Sequence, residues 1–359
     1  MASGISDIDH LIREATDLLR QLIALPSFSR EETHTADLIA DWLADRGASP
    51  QRHLNNVWAI AQPTDSPKPV LLLNSHHDTV RPVAGWARDP HRPTLDDGRL
   101  YGLGSNDAGG CLVALLATFV YLRQRNDLPV NLLLAATAEE EISGANGVAA
   151  LLPQLPIPWA GIVGEPTRMD LAIAEKGLMV IDGEARGEAG HAAREEGVNA
   201  LYIALDDIDQ LRRQPLKRQS PLLGPVKVSV TQIEAGNQHN VVPDRCRFVV
   251  DVRTNELYSN EEAFEILQQL CRSTLRARSF RLNSSRIEPD HPLVRSGRAL
   301  GRATFGSPTL SDQALLPFPT IKMGPGDSAR SHTADEFIYL EEIAQGIRGY
   351  IQLIENLTI

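Results

Sequence analysis

A chain of 359 residues is longer than one hydrophobic core usually spans, so two domains are expected. Its 42% hydrophobic and 23% charged residues place it among ordinary globular proteins and outside the disordered class. A formal net charge of −11 and a pI of about 5.4 argue against a fold-wide basic footprint for nucleic acid; Lys217-Arg218 reads as a solvated helix end. No apolar run approaches the roughly 20 residues that span a bilayer, so no membrane partner is expected.

The stretch Met1-Ala2-Ser3-Gly4 lacks the charged-then-apolar pattern of a signal peptide. Ile8, Leu11, Ile12, Ala15, Leu18, Leu19, Leu22 and Ile23 recur at helical spacing and predict an amphipathic helix. Cys111, Cys246 and Cys271 are odd in number and far apart. They argue against a disulfide framework or a cysteine zinc site and fit a reducing cytoplasm.

Next, Ser29 to Glu32 predicts a capping box ahead of a helix carrying Leu38, Ile39, Trp42 and Leu43, which Gly47 can end. An apolar run, Pro69 to Leu73, precedes a small-residue helix from Ala108 to about Arg125. The strands Val130 to Ala136 and Gly161 to Gly164 follow. Continuous apolar strands alternating with helices predict an α/β fold, its mostly parallel sheet covered on both faces.

From about Gly177 the texture changes. Leu178 to Ala185, Val226 to Ile233, Arg247 to Val252 and Ser279 to Ser284 read as strands, and Gly197 to Arg213 and Glu261 to Arg276 as helices. That β-α-β-β-α-β order predicts an inserted α+β, ferredoxin-like domain over residues 177–287. Residues 1–176 and 288–359 then form a discontinuous first domain, with Ile321-Lys322-Met323 as a strand and Leu340 to Ile354 as the closing helix.

The chemistry-bearing residues fall where strands end, which is where open α/β sheets place their sites. Leu71 to Ser75 delivers His76-His77-Asp78, whose first and third residues share a face in a strand. An imidazole there can bind metal while the carboxylate orients it. Asp107 stands before the small-residue helix and by itself fits a helix N-cap as well as a ligand. The nearby glycines match neither a dinucleotide fingerprint nor a P-loop. Glu139-Glu140-Glu141 follows an apolar strand. It fits a solvated loop, or a division of labour in which one glutamate binds metal and its neighbour takes a proton from the attacking water. Glu165 and His332 lie in further polar loops. Together these residues make a mixed nitrogen and oxygen ligand set suited to a two-metal hydrolase.

In these motifs the chain resembles the di-zinc aminoacylase and carboxypeptidase family, within it the acetylornithine deacetylases and their N-acyl-citrulline relatives. The likeness runs over essentially the whole length, and five separate motifs occur in the family's order. It implies two zinc ions per subunit, with cobalt able to substitute. His76, Asp107 and Glu165 would hold one, and Asp107, Glu141 and His332 the other. It implies Glu140 as general base and Asp78 as the carboxylate behind His76. The insert would be a dimerisation or lid domain, making the active unit a homodimer. In it, His191 of Gly190-His191-Ala192 would reach the partner's active site and stabilise the oxyanion. Asn240 and Arg253 would hold the substrate's carboxylate end, and the Gly324-Pro325-Gly326 turn would line that pocket.

Ser75 stands where the family commonly has glycine, and Glu139 where it has aspartate. Ala108-Gly109-Gly110 replaces a methionine, a lysine and a glycine. None of these departures removes a ligand; they bear on acyl-group specificity. His77 is read as structural. The resemblance implies deacylation of a small N-acyl amino acid, N-acetyl- or N-succinyl-ornithine or -citrulline, in arginine biosynthesis. Succinyl-diaminopimelate or a dipeptide is the alternative substrate. A binding protein that kept the fold is the alternative of another class, and the intact ligand set with Glu140 argues against it.

Overall fold

The computed structural model describes residues 8–62, 66–194, 196–213 and 216–359. Met1-Ala2-Ser3-Gly4, read above for a leader, lies outside them. The chain forms two compact units. One comprises Met1–Ile173, Ile287–Phe305 and Ser311–Ile359; the other comprises Ala174–Arg286 and Gly306–Leu310.

The first unit is built on a sheet in the order Gln51–His53, Asn56–Ile60, Asn131–Thr137, Val70–His76, Ala160–Val163, Thr320–Lys322 and Leu171–Glu175. Val70–His76 runs parallel to both its neighbours, and Thr320–Lys322 runs parallel to Ala160–Val163. These central strands are apolar residue after residue because both faces are covered. Leu72, Leu133 and Trp58 pack with Val148 and Leu151 on one side. The helices Ile8–Ala24, Gly110–Leu122 and Leu340–Glu355 pack against one another. Burying a leucine side chain is worth about 1.5–3 kcal/mol, so the apolar strands hold the sheet's frame firmly. Contrary to the expectation that no run approaches a membrane span, Ser105–Leu122 is long and apolar enough by length and composition alone, but 83% of it is buried within the fold, as befits a core helix.

Parallel strands end on the same side, and that sets the chemistry. Register pairs His76 with Thr137 and Asn74 with Val163, so the residues following each strand gather at one sheet edge.

The second unit is a four-stranded antiparallel sheet in the order Lys227–Ala235, Arg245–Arg253, Met179–Arg186, Thr274–Ala277. Strict alternation along Met179–Arg186 turns Met179, Ile181 and Ala185 inward. They meet Phe248, Val250 and the helices Ala200–Arg212 and Asn260–Leu270. This is the ferredoxin-like order expected of the insert.

Three local expectations fail, each because a distant side chain takes over. Ser29 does not cap the helix Thr33–Asp45; its hydroxyl donates to Asp78 Oδ2 at 2.7 Å, and Glu32 occupies the cap position without a cap bond. The helix expected to reach Arg276 stops at Leu270, where Cys271 turns extended. The Asp207 carboxylate accepts from the N–H groups of Arg272 and Ser273 at 3.0 and 2.8 Å, and Thr274–Ala277 becomes the fourth strand. Ser279 to Ser284 is consequently not a strand: the Asn260 amide claims the carbonyls of Phe280 and Leu282. The sequence reading also missed the strand Leu171–Glu175. The small-residue helix begins at Gly110, after an irregular turn over Ser105–Gly109.

Candidate metal centre

His76 closes its strand, and its ring is buried. Nδ1 lies 2.9 Å from the Asp78 carbonyl oxygen, which takes the ring proton and leaves the lone pair on Nε2. Nε2 is buried and makes no hydrogen bond. It faces Asp107 Oδ1 at 3.5 Å, Glu165 Oε1 at 3.7 Å and Glu140 Oε2 at 3.9 Å. An orphaned imidazole nitrogen ringed by carboxylate oxygens beyond hydrogen-bond reach is the donor set that a divalent cation satisfies.

Asp107 turns its other oxygen, Oδ2, to His332 Nε2 at 3.5 Å, and Glu141 Oε2 stands 3.0 Å from the same nitrogen. Two groups result, His76 with Asp107 and Glu165, and Asp107 with Glu141 and His332. Within each, the ligand atoms lie within 4.8 Å of one another. Asp107 belongs to both, as a bridging carboxylate must.

Adjacent glutamates repel, and the backbone resolves the conflict. Glu139 adopts a left-handed conformation (φ 55°) and opens a tight turn over Glu140–Ile142. Its own carboxylate turns away to the Asn146 side-chain amide at 2.9 Å, while Glu140 faces His76 and Glu141 faces His332. Asp78 joins the two motifs. The strand stops at His76, so Asp78 meets the ring by way of the following turn rather than by strand alternation. Its oxygens accept from the N–H groups of Glu140 and Glu141 at 3.0 and 3.2 Å.

The electrostatics show a site short of positive charge. Burial, reinforced by Asp107, pushes Glu165 up to about 8. Burial also drives Glu140 well above the usual carboxylate range, with Glu165, Asp312 and Glu141 adding to it. The hydrogen bond from His332 to Glu141 raises that histidine to about 9. Against its burial, His76 is held well above its ordinary value by Glu140, Asp107 and Asp78. Crowded carboxylates borrowing protons in this way are a setting that metal cations relieve.

Two buried acids were not singled out from the sequence. Asp312 accepts from Asn74 Nδ2 at 2.9 Å and Thr137 Oγ1 at 2.8 Å, behind the strand ends; no local signal marks it. Glu336, four residues after His332, accepts three backbone N–H groups of the loop that carries Asp107. His77 is fully occupied by Thr35 Oγ1 and the Asn55 carbonyl, each at 2.9 Å, and burial lowers it to about 4, a neutral structural ring.

Of the residues expected to hold substrate, Gly324 is packed rather than presented. A Cβ there would lie 2.6 Å from Cys111 Sγ and 2.7 Å from the Glu165 carbonyl oxygen. Its N–H and carbonyl are committed to Thr167 and Met169. The other two, Asn240 and Arg253, lie in the second unit, as does His191. His191 is exposed, on a short strand paired with Val241–Val242, beside Asn240, whose carbonyl accepts from Ala192 N–H at 3.0 Å. The Ala193 N–H donates to His191 Nδ1 at 3.1 Å, which leaves the proton of the neutral ring on Nε2. Arg253 gives Nε and Nη2 to the two oxygens of Asp251, at 2.8 and 3.1 Å.

Comparison with known proteins agrees with this geometry. Residues 72–356 match the profile of Peptidase family M20/M25/M40. A probable carboxypeptidase of Aspergillus flavus is 28% identical over 94% of this chain and 86% of its own length. Acetylornithine deacetylase of Myxococcus xanthus is 29% identical over 81% of this chain and 80% of its own. Among solved structures, the YXEP protein of Bacillus subtilis, a dinuclear metal-binding peptidase, superposes with a TM-score of 0.73 at 17% identity, covering 96% of this chain and 98% of that one. With a family profile covering most of its length and two ligand groups meeting at Asp107, the chain belongs to peptidase family M20/M25/M40 and is a metal-dependent hydrolase of amide bonds.

Proposed function

We propose that this hydrolase removes the acyl group from N-acetyl- or N-succinyl-ornithine or -citrulline, in arginine biosynthesis. The observation that carries the chemistry is Asp107 shared between two ligand groups with the Glu140 carboxylate beside them. Two divalent cations held there, zinc with cobalt able to substitute, would polarise the scissile carbonyl and acidify the attacking water. Glu140, whose burial raises its affinity for protons, takes the water's proton and returns it to the leaving amine. Asp78 holds His76 on one side and the Glu140-Glu141 backbone on the other, so ligand and base keep a fixed separation.

The substrate reading rests on Arg253 and on the deacetylase of Myxococcus xanthus. Asp251 occupies one edge of the guanidinium, Nε with Nη2, and so pre-orients it. The Nη1–Nη2 edge is left to bind a second carboxylate, the free α-carboxylate of an N-acyl amino acid, with Asn240 adding a hydrogen bond. Turnover of the metal-loaded protein on N-acetyl and N-succinyl ornithine and citrulline should be measurable. The same compounds with the α-carboxylate amidated should be strongly disfavoured, because a polar group left unpaired in a site built for it costs orders of magnitude. Equal rates on acid and amide would remove Arg253 from the pocket. Preference for unblocked dipeptides, or for succinyl-diaminopimelate, would replace the ornithine and citrulline reading.

The same proposal makes the active unit a cytoplasmic homodimer joined through the insert. The three cysteines are all free, in keeping with a reducing compartment. Lys227–Ala235 is an edge strand of nine residues, and Tyr202 and Leu205 are exposed on the helix Ala200–Arg212. An unpaired edge beside exposed apolar side chains suits pairing with a second copy. His191 would then act in the partner's site, its Nε2–H donating to the developing oxyanion, worth about 3 kcal/mol. Mixing inactive Glu140→Gln and His191→Ala subunits should restore partial activity, since one hybrid site carries neither change. No recovery after proven subunit exchange would place His191 in its own subunit or outside the reaction.

A further inference from the structure

Asp107 can bridge two cations only if its backbone is held at one height and angle, yet it sits in an irregular turn rather than in a helix. Gly104 is left-handed (φ 74°) and Asp107 itself is extended (φ −116°, ψ 99°); the N–H groups of Gly109 and Gly110 close the turn on the Gly104 and Ser105 carbonyls, but those of Asn106 and Asp107 find no partner within it. A single side chain supplies the missing partners. Glu336 Oε1 accepts from the N–H groups of Asn106 and Asp107 at 2.8 and 2.9 Å, and Oε2 accepts from Gly104 N–H at 3.2 Å. The carboxylate is buried, at 2% exposure.

Strand register explains how it arrives there. Phe337–Tyr339 pairs antiparallel with Arg99–Tyr101, Phe337 opposite Tyr101, so Glu336 falls opposite Gly102 at the entrance to the loop. The Glu336 carbonyl accepts from Gly102 N–H at 3.0 Å and extends that ladder by one step. A return contact ties the loop to the segment before His332. Asn106 donates its amide to the Asp327 carbonyl at 3.1 Å and to Ser331 Oγ at 3.3 Å, and Asn106 Oδ1 accepts from Asp327 N–H at 3.0 Å. The loops carrying Asp107 and His332 are therefore cross-braced by side chains reaching each other's backbone.

We propose that Glu336 is the positioning residue of the metal centre, holding the Asp107 backbone so that the two carboxylate oxygens face the two ligand groups at once. This rests on the two-metal reading of the site. The two carboxyl oxygens of Glu336 are acceptors, and so suit three converging N–H donors. A glutamine of the same shape would point its NH2 at one of them, and the loop must move. Loss of a group that orients a ligand commonly weakens metal affinity by about 10- to 100-fold.

The test is a double-mutant cycle in metal affinity, read by titrating zinc into metal-free protein. Glu336→Gln should weaken binding by about 10- to 100-fold in the native background. In an Asp107→Asn background the same change should have little further effect, because the carboxylate whose placement it controls is gone. A merely structural role would give the same penalty in both backgrounds and would lower the unfolding temperature of the metal-free protein to match. If Glu336→Gln does not fold, Glu336→Asp keeps the charge with a shorter reach and is judged in the same cycle. Unchanged zinc affinity, or equal penalties in the two backgrounds, overturns the proposal. Native protein taking up fewer than two zinc ions would instead overturn the two-metal reading beneath it.

Discussion

Glu140→Gln is expected to lower kcat by about 10²- to 10⁴-fold, the usual worth of a general acid–base group, while metal content stays at the native level. The two outcomes separate because Glu140 belongs to neither ligand group. Its contact with Asp78 runs through the backbone N–H, which glutamine retains, so the turn presenting Glu141 should hold. Glutamine keeps the shape and cannot take a proton. The substitution also removes one buried acid from a cluster in which Glu165, Asp312 and Glu141 all oppose its ionisation. The metal-free variant should therefore be no less stable than the parent. Near-normal turnover would force the base role onto Glu141 or another acid.

Removal of metal is expected to have the larger effect. Dialysis against a chelator should abolish turnover, and zinc or cobalt should restore it. The restoration has a predictable pH dependence. In the metal-free site Glu165 and His332 are raised to about 8 and about 9 and so hold protons at neutral pH. A cation must displace those protons, so apparent metal affinity should rise with pH up to that range. Metal should also stabilise the fold, by about 2.7 kcal/mol when its free concentration is 100 times Kd. A metal affinity flat with pH would mean the ligands were already deprotonated.

What could be read from the sequence, and what could not, divides by the range of the signal. The run Val70–His76 announces itself because a parallel strand covered on both faces is apolar throughout; His76 closes that run, and Glu141 and Glu165 lie in the loops that follow two others. The family resemblance is what joins them into two ligand groups. Asp312 and Glu336 did not show because their meaning is entirely tertiary: Asp312 matters through Asn74 and Thr137, and Glu336 through a strand register set far earlier in the chain. Ser29 was misread because a hydroxyl that fits a local cap had a charged partner elsewhere, Asp78. The helix from Asn260 was drawn too long for a similar reason. Leu275 fits either period, and the turn is set by Asp207, from another helix, together with Gln268, whose side chain bonds Ser273 and Leu275.

Asp107, common to both ligand groups, is proposed to join two metal ions in this chain. Anomalous diffraction from crystals of zinc-loaded protein measures it directly. Two peaks per chain should appear about 3.5–4 Å apart, with an Asp107 oxygen bound to each. A single ion, or two ions with Asp107 bound to neither or to only one, would contradict it.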